Sequence, residues 1–353
     1  MTSSEIRVRP VHPDDAADLY AIVSDPRVND TLVQLPSMEF SETQKWVQNH
    51  QPGQHRLVAE VNGRVVGSCG LTQNLRPRMM HSGRLGMMIH HDYWGQGVGS
   101  ALMAAQMNLA DNWLNLHRVE LEVFTDNPAA VHLYQKFGFE IEGTRRMNVF
   151  GGNGRFRDEF QMARLHNTDA LHNSPTAPPP PARPPRQTLT QPVTIRPMHP
   201  NDAEQMNALW RHPSICRTTL QMPSQEIFFA RQRLENHSPG GHRLVSLIDE
   251  QLVGAITIFQ SQNPRMLHTA GLGMMVHPDY WGLGLGSRLM EAILNIADNW
   301  LYLKRVDLDV NTDNPTAVRL YEKFGFVIEG TKRFHVFGDG RWSDSYFMAR
   351  IME

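Results

Sequence analysis

The chain has 353 residues, more than one ordinary core accommodates, which points to two domains of about 100–200 residues each. Lysine and arginine total 34 against 36 aspartate and glutamate, so there is no cationic surplus of the kind that selects nucleic acid or an anionic membrane surface. Cys69 and Cys216 stand far apart, which excludes a disulfide framework and cysteine metal-ligand spacing, and no apolar run reaches the roughly 18 residues of a membrane span. A soluble, cytoplasmic protein without a metal is the expectation.

In chain order the first half reads as a strand over 6–9, helices over 13–24 and 41–50, and strands near 56–61, 64–73 and 82–90. A helix over about 97–115 follows, then a strand at 118–125, a helix at 128–137 and closing strands near 139–149 and 155–164. This is the α+β class. Asn62-Gly63 between apolar runs predicts a tight hairpin, whereas the corresponding Asp249-Glu250 lacks the glycine and predicts it less strongly.

The second half repeats the first. Arg9 matches Arg196, Tyr93 matches Tyr280 and Tyr134 matches Tyr321, each 187 positions apart (280 − 93 = 187), and after "FGGNGRF" against "FGDGRW" the offset becomes 186. A period this long means duplicated domains and not a solenoid. The expected layout is a domain over 1–165, a linker over 166–192 and a second domain over 193–353. Residues 166–192 carry "SPTAPPPPARPP", whose prolines favour extended polyproline spacing. Charge is balanced in each half, with 16 basic against 18 acidic residues over 1–165 and 16 against 17 over 193–353.

Each copy contains an apolar run, a Tyr-Trp pair and closely spaced glycines: "HHDYWGQGVGSALM" at 90–103 and "HPDYWGLGLGSRLM" at 277–290. Bare backbone leading into a helix leaves N–H groups pointing outward at the positive end of the helix dipole, a site for phosphate. A Walker loop would need Gly-Lys-Ser/Thr, but Gly99 is followed by Ser100-Ala101 and Gly286 by Ser287-Arg288. A dinucleotide fingerprint would place its third glycine one residue later and in a first βα turn. A plain strand-to-helix turn is the third reading.

Further on, "DNPAAVHLYQKFGF" (126–139) and "DNPTAVRLYEKFGF" (313–326) set Asn-Pro at a helix entrance and a tyrosine two turns along the same face. With both motifs present, both copies resemble the GNAT superfamily of acetyl-CoA-dependent N-acetyltransferases, and within it bacterial L-amino-acid N-acetyltransferases. The resemblance implies two tandem GNAT-like domains, each a mixed central sheet flanked by helices. It also implies that Met88, Ile89, His90, Gly95, Gln96, Gly97, Val98, Gly99, Ser100 and Asn127 hold acetyl-CoA in the first copy. Met275, Val276, His277, Gly282, Leu283, Gly284, Leu285, Gly286, Ser287 and Asn314 hold it in the second. Trp94 and Trp281 stand where the family usually has Gln or Arg, which leaves pyrophosphate to backbone amides.

The resemblance makes Tyr134 and Tyr321 the general acids beside the departing sulfur. On the amine side Glu120 and Asp307, with Glu122 and Asp309, alternate with apolar residues on the following strand. They serve as base through water or simply form a solvated strand face. His81 and His268 are further titratable candidates. Met79, Met80, Met87 and Met88 fill core, and Trp113 and Trp300 are expected to anchor helix packing. The expected reaction is acetyl transfer to a small primary amine, foremost the α-amine of an amino acid. Protein N-termini, antibiotics and polyamines are alternative acceptors, one copy could be non-catalytic, and a homo-oligomer is possible.

Overall fold

The computed structural model describes residues 5–167, 191–236 and 238–352. The chain divides into two compact units at 174/175, a point outside the described residues, as is nearly all of the expected proline-rich linker. No described helix is long and apolar enough to cross a membrane.

The first unit contains strands β1 (Arg7–Pro10), β2 (Gln54–Val61), β3 (Arg64–Gln73), β4 (Ser82–Ile89), β5 (Arg118–Phe124), β6 (Glu140–Phe150) and β7 (Phe156–Leu165), in the sheet order β1-β2-β3-β4-β5-β7-β6. Its helices are α1 (Ala16–Ser24), α2 (Pro26–Asn29), α3 (Phe40–Gln48), α4 (Val98–Asn112) and α5 (Pro128–Lys136). Neighbouring strands are antiparallel except β4 and β5, the pair joined through α4, since parallel strands need a long crossover. The α+β class and the mixed sheet follow the sequence expectation.

Strand alternation sends residues to two cores. Leu85, Leu121, Val123 and Met162 pack with α4 and α5 through Leu102, Met103 and Tyr134 on one face. On the other face, Val58, Val65 and Met88 pack with Ala16, Leu19, Val28 and Val47 of α1–α3. Burying both faces is what gives the strands their near-continuous apolar character.

The second unit repeats this plan with β8 (Thr194–Pro197), β9 (Gly241–Ile248), β10 (Gln251–Gln260), β11 (Thr269–Val276), β12 (Arg305–Asn311), β13 (Val327–Gly338) and β14 (Arg341–Ile351). Its helices are α6 (Ala203–Arg211), α7 (Pro213–Thr218), α8 (Ile227–Glu235), α9 (Leu285–Asn299) and α10 (Pro315–Lys323).

Three details depart from the sequence reading. Asp249 (φ 47°) and Glu250 (φ 61°) adopt the same left-handed turn as Asn62 (φ 52°) and Gly63 (φ 77°). The β9–β10 hairpin therefore forms without a glycine, because the flanking strand register fixes the turn. Trp113 and Trp300 close α4 and α9 but are 77% and 79% exposed, so they are no packing anchors. Residues 13–15 form a 3-10 turn before α1 begins.

Candidate active site

Parallel pairing of β4 with β5 covers three positions, Ser82–Arg84 against Arg118–Glu120. Beyond them β4 runs on to Ile89 and β5 to Phe124, each paired only on its far side, to β3 and β7. The two strands therefore part, leaving facing backbone edges unpaired by the sheet. The second unit parts identically, with Thr269–Gly271 against Arg305–Asp307.

Where β4 ends, a 3-10 turn (His91–Tyr93) and Trp94 lead to Gly95 (φ +73°) and Gly97 (φ +88°), the residue that caps α4. Gly282 (φ +79°) and Gly284 (φ +83°) repeat the geometry before α9. Only glycine enters this left-handed region cheaply, so the loop's glycines are conformational requirements. Neither helix start has a side-chain cap, and the N–H groups of Val98, Gly99 and Ser100 are those an α-helix leaves unbonded. A Cβ on Gly95 would meet nothing within 4 Å, so space is open beside the loop at that residue. Bare backbone at an uncapped helix start is the kind of arrangement that suits an anion.

Trp94 has a definite job here: its indole Nε1 donates to the carbonyl of Ile89 at 2.9 Å, as Trp281 Nε1 does to Val276 at 2.7 Å. The ring pins the loop back onto the strand end. His90 and His277 cap the short turn, accepting from Asp92 N at 3.3 Å and Asp279 N at 3.4 Å. Gly99 is bare for packing: a Cβ there would sit 2.8 Å from Leu133 Cδ2, and one on Gly286 would sit 2.9 Å from Leu320 Cδ2. In the second unit Lys323 Nζ donates to Ser287 Oγ at 3.2 Å. That places a cation at the α9 start which the sequence reading passed over.

Tyr134 lies on α5, buried against Phe139 with ring centroids 6.0 Å apart, and Tyr321 lies likewise against Phe326 at 5.9 Å. Burial pushes the Tyr321 hydroxyl up to about 12. Tyr134 is raised further, by burial first and then by neighbouring Cys69. Asn127 and Asn314 cap these helices through Oδ1, accepting from Ala130 N and Ala317 N at 3.2 Å.

The acidic candidates are on the opposite face. Glu120 stands at the closed end of the parting, bonded at 3.0 Å by fully buried Arg118, which also grips Glu142 at 2.9 and 2.6 Å. Arg305 repeats this with Glu329 at 2.8 Å and Asp307 at 3.6 Å. Glu122, further along β5, pairs across the opening with Arg84 of β4, and Asp309 pairs with Lys332 at 2.9 Å. His81 and His268 lie beyond the closed end, their carbonyls accepting from the residues that begin β5 and β12. Asp25, His90 and His91 also bring possible ligand atoms within 4.8 Å of one another, where the second unit has His212, His277 and Pro278.

Residues 5–140 match the family model described as "Acetyltransferase (GNAT) domain", and 205–326 match "Acetyltransferase (GNAT) family". The L-amino acid N-acetyltransferase AaaT of Escherichia coli K12 is 35% identical over 159 residues, 45% of this chain and 98% of that protein. The chain belongs to the GNAT acetyltransferase family. It carries two GNAT domains in tandem, whose members use acetyl-CoA to acetylate amines. Another similar relative is the spermidine N(1)-acetyltransferase of the same organism, 25% identical over 178 residues, 49% of this chain and 94% of that one. Among solved structures, a GNAT-family acetyltransferase from Streptococcus pneumoniae is 33% identical, covering 46% of this chain and all of that one with a TM-score of 0.42.

Proposed function

We propose that each unit transfers acetyl from acetyl-CoA to a primary amine of a small acceptor, foremost the α-amine of an amino acid, bound on the sheet face opposite the glycine-loop helix. The parting of β4 from β5 beside an open helix N-terminus carries this reading. There a ligand lying along α4 would reach through the sheet to groups on the other side, and the parting of β11 from β12 beside α9 repeats the arrangement. The amino-acid acceptor is supported by likeness to an L-amino acid N-acetyltransferase.

The chain's groups divide the work. Amides at 97–100 and 284–287 neutralise pyrophosphate, and the exposed edges of Met88–His90 and Met275–His277 orient the pantetheine arm, with Asn127 and Asn314 at its flank. Acetyl-CoA supplies the acetyl group as an activated thioester. Tyr134 and Tyr321 are protonated at neutral pH already at tyrosine's ordinary value near 10, and burial raises both further, so each presents an O–H donor to the departing sulfur. Full proton transfer from a phenol near 12 to a thiol near 8.5 is uphill by about 5 kcal/mol. The hydroxyl therefore acts first as a hydrogen-bond donor, and as a net acid only once the amine's proton is available to replace its own. An ammonium acceptor sheds two protons: Glu120 and Asp307, with Glu122 and Asp309 beyond them, take the first through water before the amine attacks, and the second, released as the C–N bond forms and the C–S bond breaks, goes to the thiolate by way of the tyrosine.

Replacing both tyrosines (Tyr134→Phe with Tyr321→Phe) should lower kcat by about a hundredfold and change the dissociation constant for acetyl-CoA less than about threefold. Steady-state thiol release and equilibrium binding measure the two. Undiminished turnover in the double variant would remove the tyrosines from the mechanism.

A further inference from the structure

The two units are alike where acetyl-CoA is expected and unlike where the amine is expected. Along the acceptor face, the first unit carries Arg84, Glu122, Arg145, Asn148, Glu159 and Gln161. The equivalent positions of the second unit are Gly271, Asp309, Lys332, His335, Ser345 and Phe347. Every one of these positions differs, although the flanking motifs repeat almost word for word.

In the first unit the cation Arg84 leans across the parting to Glu122, and its side chain is 67% exposed. Beside it Gly86, and Gly70 paired to it on β3, leave a bare strip where added Cβ atoms would meet nothing within 4 Å. A guanidinium carries five N–H donors, so the exposed Arg84 can bind a ligand carboxylate while Glu122 holds part of the fork. Acidic groups stand a few positions away: Glu122, and Glu159 held by Asn148 at 2.5 Å, its carboxyl raised by burial despite that hydrogen bond. A guanidinium at the end of the bare strip, with carboxyl groups beyond it on β5 and β7, complements a zwitterion, whose carboxylate meets Arg84 and whose amine meets the carboxyls.

In the second unit the bare positions lie along β11, at Gly271 and Gly273, while Thr257 of β10 takes the place of Gly70, and no cation stands at 271. Gly271 replaces Arg84, and neither Gly271 nor Gly273 has anything within 4 Å of an added Cβ. The Asp309 side chain is 39% exposed against 14% for Glu122. Deeper in, His335 Nδ1 lies 2.9 Å from Ser345 Oγ, which reaches Asn311 Oδ1 at 3.4 Å. Lys332, at the place of Arg145, is buried and engaged by Asp309.

We propose that the units acetylate amines of different kinds: the first an α-amino acid, its carboxylate held by Arg84, the second an amine with no carboxylate beside the nitrogen. This rests on the acetyl-transfer reading and replaces equal acceptors with a division of labour set by position 84 and its counterpart 271.

The test uses the full chain and two acceptors, the best amino acid from a panel of the common twenty and its α-carboxamide. Arg84→Gln should lower kcat/KM for the amino acid about tenfold or more through KM, the loss of a charge-assisted fork. It should leave the carboxamide within about twofold, and Arg84→Lys should recover part of the loss. Gly271→Arg, which fills the second opening, should reduce carboxamide turnover and spare the amino acid. An Arg84→Gln variant that lowers both acceptors by one factor, or neither, overturns the division while leaving acetyl transfer intact. Thiol release with no amine at all would instead bring down the acetyl-transfer reading itself.

Discussion

Asp15 shows how a single side chain sets the entrance to each unit. Burial pushes its carboxyl up, but Arg9, bidentate at 2.8 Å, and the His12 N–H at 2.7 Å outweigh that and hold it below the usual aspartate range. Asp202 is lowered likewise, chiefly by Arg196 and also by His199 N–H. A carboxylate lowered in the folded state binds fewer protons there than in the unfolded chain near its ordinary pKa. Its stabilisation is thus complete above about pH 4 and disappears as pH falls through the lowered folded value. Asp15→Asn should cost about 1–3 kcal/mol at pH 7, by leaving Arg9 without its fork. The difference from the parent should shrink as pH drops below about 4, which denaturant titrations at several pH values would record. A constant difference down to pH 2 would show that charge is not what Asp15 contributes.

At the scale of elements, the packing of α4 against α5 ties the anion seat to the tyrosine. Gly99 sits against Leu133, the neighbour of Tyr134, so close that a Cβ would force the Leu133 side chain to shift. Gly99→Ala should therefore displace α5 and lower kcat severalfold, and adding Leu133→Ala should restore it by clearing the clash. Failure of the second change to restore turnover would detach the glycine from the tyrosine. The motifs themselves were legible in the sequence because both are local: glycines before a helix start, and Asn-Pro two turns before a tyrosine. The function of Gly99 was not, since its reason is a contact with a helix 34 residues on (133 − 99 = 34). Trp94 appeared only as a departure from the family pattern, because its bond to Ile89 O depends on how the loop folds back. The sequence reading passed over Arg118. Only the β5–β7–β6 register makes it the buried grip on Glu120 and Glu142. Trp113 and Trp300 misled for the opposite reason: an apolar ring in a helical stretch suggests packing, but both fall at the last turn and face solvent.

At the scale of the whole molecule, the duplication preserves one half of the chemistry and varies the other. Glycine turn, indole staple, parted strands, capped helix and buried tyrosine recur in both units. On the other sheet face the buried arginine grip is kept, as Arg118 and Arg305, while positions such as 84 and 271 change. The 187-residue period made two domains evident from sequence, and the side-by-side comparison of acceptor faces required knowing which strand positions share a surface. The central claim is that both units hold acetyl-CoA. Equilibrium titration of the full chain with acetyl-CoA measures it most directly: two molecules bound per chain are expected, falling to one when Gly284→Trp blocks the second seat. A stoichiometry of one in the parent chain would contradict the account.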